Sequence, residues 1–227
     1  MCLLLVLVTM AGMTTIAHAE EINLVQTEDT KWNKMYENAT MVVEEIYDEV
    51  PLYNQLDYNK TPYGDYGTVA SHGCGITCLA MVATYLLDVE YMPDELAKAF
   101  GRYNTPNGSY WILFEDSAKA LGLNLQERTN SEKKVMQALA NGQVVISLQR
   151  EGLFTGGGHF ITLVGLTEDG KILVNDPNGA NYLKGGALAN GFKDGFSKNQ
   201  VFEAGGPYWI YEVKTSAVAE VINSLGE

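Results

Sequence analysis

Apolar positions along this chain change texture near Asn141, from helical spacing before it to short strand-like runs after it. Trp32, Met35, Tyr36, Ala39, Val42, Val43 and Ile46 form a stripe that predicts a helix over Lys31–Glu49, ended by Pro51. Leu52 to Tyr58 reads as a short extended piece. Asn59 to Gly73 carries Pro62, Gly64, Gly67 and Gly73 and reads as a surface loop, with Tyr63 and Tyr66 inside it. Gly75 to Leu87 is apolar on most sides, which predicts a central buried helix. Pro93, with Asp94 and Glu95 beside it, opens another helix to about Phe100. Ser109 to Leu121 predicts a third, stopped by Gly122. Ser131 is the N-cap of a helix through Ala140, with Gly142 just beyond its end.

After Asn141 the predicted elements are strands: Val144–Leu148, His159–Val164, Ile172–Asn175 and Tyr208–Val213. Glu168-Asp169-Gly170 supplies a hairpin turn between the second and third. Gly179 to Gly206 is rich in Gly and Asn and reads as a long loop with one short helix. Helices first and an antiparallel sheet afterwards give an α+β class, without repeats or linkers. A chain of 227 residues suits one domain with a single core.

The N-terminus alters that picture. Leu3 to Val8 is almost wholly apolar, and Ala17-His18-Ala19 before Glu20 has the small-x-small form of a signal-peptidase site. Residues 1–19 are therefore expected to be a signal peptide and 20–227 one exported domain, its core at about 50–215. The apolar run falls short of the roughly 20 residues a spanning helix needs, so no stable membrane insertion of the mature chain is expected. A formal net charge of -13 argues against nucleic acid and gives no electrostatic reason to bind anionic lipid. It fits solubility outside the cell, or a mildly basic substrate. Cys2 leaves with the signal, so the mature chain keeps only Cys74 and Cys78 and has no disulfide framework.

Candidate chemistry centres on Cys74, in Ser71-His72-Gly73-Cys74-Gly75-Ile76-Thr77-Cys78. A cysteine where a glycine-rich turn becomes a helix has unpaired backbone N–H groups aimed at its sulfur, which favour the thiolate. Such a nucleophile needs a base. After the signal, only His72 and His159 remain. His72, two residues from Cys74, would need an awkward local fold. His159 follows Gly156-Gly157-Gly158, which leaves its approach open, and begins a strand that a sheet can hold rigidly. Asp176, closing the neighbouring strand, can hold the imidazole in one tautomer, whereas Asn175 should point to the opposite face. Cys78, one turn from Cys74, reads as a small core residue. Zinc on His72, Cys74 and Cys78 lacks a fourth ligand and paired Cys-x-x-Cys spacing.

The chain resembles secreted papain-like peptidases related to the double-glycine leader peptidases that process bacteriocin precursors. The matching pieces are Val50-Pro51-Leu52-Tyr53-Asn54-Gln55, Gly73-Cys74-Gly75-Ile76-Thr77, Gly158-His159-Phe160 and Asn175-Asp176-Pro177. The resemblance implies a papain-like fold, with a nucleophile helix packed on an antiparallel sheet. It also implies Cys74 as nucleophile, His159 as general base and acid, and Asp176 as the orienting residue. Gln55 would complete an oxyanion hole with the Cys74 backbone N–H, and losing one such donor typically costs about 3 kcal/mol of transition-state stabilisation. The gap between Gln55 and Cys74 is longer than in compact transporter-linked members, and the chain has no ATP-binding motif. The expected function is an exported cysteine peptidase acting on a peptide or protein substrate, with no cofactor and no metal. Two other readings stay open. One is an amidase or peptidase for cell-wall peptides, and the other is a papain-like peptide-binding module without catalysis.

Overall fold

A computed structural model describes residues 49–214 of the protein. The predicted signal peptide at residues 1–19, and all of the predicted Lys31–Glu49 helix except Glu49, lie outside the described residues.

The first departure from expectation is in the segment before Cys74. Leu52–Tyr58 is extended only at its start, and Gln55–Tyr58 forms a 3-10 helix. Asn54 caps it, its Oδ1 accepting from the Leu56 N–H at 3.1 Å. The expected surface loop ends in the short helix α1, Val69–His72. Helix α2, Cys74–Leu87, is buried from Gly75 through Thr84, as an element apolar on most sides must be. It stops at Asp88, which takes a left-handed conformation at φ 51°. Helix α3, Pro93–Phe100, begins on its proline, with the Glu95 carboxylate accepting from the Met92 N–H at 3.1 Å.

Ser109 does not open a helix. Asn104–Thr105 (β1) and Gly108–Ser109 (β2) pair as a small ribbon, and α4 starts later, at Ile112–Leu121. Strand β3, Leu125–Thr129, is an element the periodicity did not predict. The helix α5, Glu132–Ala140, is capped by Ser131 as expected, and strand β4 is Gln143–Gln149. Strands β5, His159–Leu166, and β6, Ile172–Asn175, form the predicted hairpin. The Gly- and Asn-rich stretch is more ordered than expected. It holds a 3-10 helix, Gly179–Leu183, then α6, Ala187–Asp194, and α7, Lys198–Phe202. Strand β7, Gly205–Val213, closes the described chain.

The five longer strands make one sheet in the order β3-β7-β4-β5-β6, with every neighbouring pair antiparallel. Both faces are covered. Val144 and Ile146, Phe160, and Trp209 and Tyr211 belong to the apolar cluster that contains α2. Val145, Ile161 and Leu163, and Tyr208 and Ile210 belong to a second cluster with α5, α6 and α7. A sheet buried on both sides has no polar face, which is why β4 reads as a continuous apolar run rather than an alternating one. Helices packed on an antiparallel sheet give a mixed α+β domain, the architecture expected of the papain-like superfamily. Among the described residues no helix is long and apolar enough to cross a membrane.

Candidate active site

Cys74 is the first residue of α2 and follows α1 after one glycine. That turn is too tight for any side chain. A Cβ on Gly73 would lie 2.4 Å from the Val69 carbonyl oxygen. Helix α2 begins at Cys74, and the Gly75 N–H of its first turn lies at the sulfur. Burial alone pushes the Cys74 thiol up. The hydrogen bond and charge of His159, together with the Phe160 and Gly75 backbone N–H groups, outweigh it, and the thiol is lowered overall.

His159 begins β5 and is buried at 7% exposure, although the three glycines before it are exposed. Its Nε2 lies 2.7 Å from Asp176 Oδ1. With Nε2 engaged there, Nδ1 is the nitrogen left to share a hydrogen bond with Cys74. Burial alone would lower the imidazole. The hydrogen bonds and charges of Asp176 and Cys74 reverse this and push it up to about 10. A lowered thiol beside a raised imidazole favours a thiolate–imidazolium pair at neutral pH.

Asp176 follows β6 directly and is fully buried. The β5–β6 hairpin brings it to His159, since Thr162 pairs with Asn175 and both residues sit at the same end of the sheet. Asn175 faces away, as alternation requires. Its Nδ2 donates to the Val50 and Pro51 carbonyls at 2.9 and 3.2 Å.

Gln55 joins the same corner from a distant part of the chain. Its backbone N–H donates to the Pro177 carbonyl at 2.8 Å, and its side-chain Nε2 donates to the Ala70 carbonyl at 2.8 Å. One end is thereby fastened beside Asp176 and the other to the helix that precedes Cys74. A primary amide carries two N–H groups, so one remains for a ligand. The other sequence candidates do not join this set. His72 Nδ1 is 2.8 Å from Ser71 Oγ, and Cys78 is a core residue whose thiol is pushed well up by burial.

Residues 47–194 match the family model described as the Peptidase_C39 like family, well over half of the chain. The chain belongs to this C39-like peptidase family. No curated protein matches it. The family match spans all four of Gln55, Cys74, His159 and Asp176 and ends with α6.

Three residues of this corner escaped sequence reasoning. Asn181 donates from Nδ2 to Asp176 Oδ2 at 2.6 Å, the Asn178 N–H donates to Oδ1 at 2.8 Å, and the Tyr182 hydroxyl accepts from the Asp176 N–H at 2.9 Å. Asn181 and Tyr182 sit in the Gly179–Gly206 stretch that reads as loop, and Asn178 directly precedes it. The available signal was the buried carboxylate itself, because a charge out of water needs more partners than one imidazole.

Proposed function

We propose that this member of the C39-like family is a cysteine peptidase that hydrolyses peptide bonds through a thioester. The observation that carries the proposal is the buried 2.7 Å pairing of His159 Nε2 with Asp176, which leaves the other ring nitrogen for the hydrogen bond with Cys74. The Cys74 thiolate attacks the scissile carbonyl carbon, and the electron pair of the C=O bond moves onto oxygen. The Cys74 N–H and the remaining Gln55 amide N–H stabilise that oxyanion. As the C–N bond breaks, the His159 imidazolium gives its proton to the departing amine and leaves a thioester on Cys74. His159, now neutral, takes a proton from water, whose oxygen displaces the thiolate and releases a carboxylic acid. Asp176 holds the ring throughout and stabilises its charged form.

Treatment with a thiol-directed epoxide or a peptidyl warhead, followed by intact mass and peptide mapping, tests the assignment. One adduct, on Cys74, is expected, and Cys74→Ala should abolish both labelling and turnover. Preferential labelling of Cys78, or turnover that survives Cys74→Ala, would overturn it.

A further inference from the structure

Asp176 is gripped on both oxygens. Oδ1 accepts from His159 and from the Asn178 N–H, and Oδ2 accepts from Asn181. Asn181 is fully buried, and both of its amide N–H groups and its oxygen are engaged. Nδ2 donates to Asp176 Oδ2 at 2.6 Å and to the Phe154 carbonyl at 3.0 Å, and its oxygen accepts from Lys184 Nζ at 2.8 Å. Turning the amide over would set its oxygen against two acceptors and its NH2 against an ammonium, so only one orientation is possible. Lys184 is exposed. A continuous line of polar contacts therefore runs from a surface lysine through a buried amide and carboxylate to the imidazole beside Cys74.

We infer that Asn181, itself fixed by Lys184, is a positioning residue: it pins Asp176 Oδ2 so that Oδ1 stays aimed at His159 Nε2. This rests on the reading of Cys74 and His159 given above and extends it by two residues. The titratable groups that interact with Asp176 are His159 on β5, Cys78 on α2, and Tyr182, while Cys74 on α2 is coupled to His159. Burial pushes the Cys78 thiol well up and the Tyr182 hydroxyl to about 12, so both stay neutral around pH 7. Without the amide, the carboxylate can turn about its own bond, and the imidazolium loses part of its partner. The thiolate then forms only at higher pH.

The test uses Asn181→Leu and Lys184→Met in the full chain. Its first readout is the pH dependence of Cys74 alkylation by iodoacetamide, followed by intact mass, which requires no turnover. In Asn181→Leu the acid limb should move upward by about one pH unit, the scale set by losing one hydrogen bond to a charged group. With a peptide substrate, kcat should fall about tenfold with KM within about twofold, since the lost interaction matters to chemistry and not to binding. Lys184→Met should move the limb the same way by a smaller amount. A merely structural role would lower stability and leave the limb in place. An unmoved limb in Asn181→Leu overturns the proposal. If that variant does not fold, the surface variant Lys184→Met decides alone, by a shift or by none. Loss of selective Cys74 labelling in the unsubstituted protein would instead defeat the underlying assignment, so the two failures are distinguishable.

Discussion

Burial raises a thiol and lowers an imidazole, so Cys74 and His159 taken separately would both be neutral at these depths. Their proximity to each other, with Asp176 behind the ring, reverses both. The consequence is visible in pH dependence. The thiol is lowered, so alkylation of Cys74 should begin below the range of an ordinary cysteine and persist at high pH. In the proposed mechanism turnover needs the imidazolium as well, since the departing amine takes its proton. kcat/KM should therefore fall on the alkaline side as His159 loses that proton near pH 10, while alkylation continues. In His159→Gln the midpoint of alkylation should rise, because burial remains and its compensation is gone. Alkylation of the unsubstituted protein with an ordinary thiol midpoint would refute the ion pair.

A comparable balance operates in α6, where helix propensity and packing oppose each other. Gly191 lies inside that helix, and alanine would ordinarily gain about 1 kcal/mol there. A Cβ at this position would lie 2.0 Å from Phe196 Cε1. Phe196 is fully buried, with its ring 5.0 Å from Phe154 and 5.1 Å from Phe192. Overpacking of this kind costs about 1–3 kcal/mol, so packing should win. Gly191→Ala is expected to lower the urea midpoint, and a midpoint unchanged or raised would show that the aromatic cluster yields. The element also bears on chemistry. Phe192 of α6 stacks on Tyr182 at 4.0 Å, and Tyr182 carries the hydroxyl that receives the Asp176 N–H. A helix with no residue at the site thus backs the segment that holds the site's carboxylate.

At the scale of the molecule, the sheet separates two apolar clusters, and the site lies at the sheet's end, where α2, the β5–β6 hairpin and the Gln55 segment converge. Cys74 packs against the first cluster and is only partly buried as a residue. The imidazole and carboxylate of His159 and Asp176 stay out of water, which strengthens their mutual attraction. We propose that this domain works outside the cytoplasm. The grounds are the apolar run Leu3–Val8 and Ala17-His18-Ala19, together with a formal net charge of -13. Expression in a secreting bacterial host should place the protein in the culture medium or cell envelope. Edman or mass-spectrometric sequencing of that form should then begin at Glu20. A cytoplasmic protein that retains Leu3–Val8 would contradict export.

The sequence by itself determined what depends on neighbours along the chain. The all-round apolar run of α2, the Ser131 cap, the turn at Glu168-Asp169-Gly170 and the opposite facing of Asn175 and Asp176 are each set within a few residues. Period and turn chemistry report these directly. Cys74, His159 and Asp176 could be singled out for the same reason, since each sits at the boundary of such an element. Only the tertiary structure decided the rest. Strand β3 has the run Leu-Gln-Glu-Arg-Thr, half-exposed at the sheet edge, and pairs with β7 some eighty residues on. It carries too little apolar alternation to announce itself. Gln55 reaches the site through bonds to Ala70 and Pro177, and Asn181 through a carboxylate and a loop carbonyl. A buried amide is committed by the groups that surround it after folding, and no local pattern of hydrophobic and polar residues records who those will be.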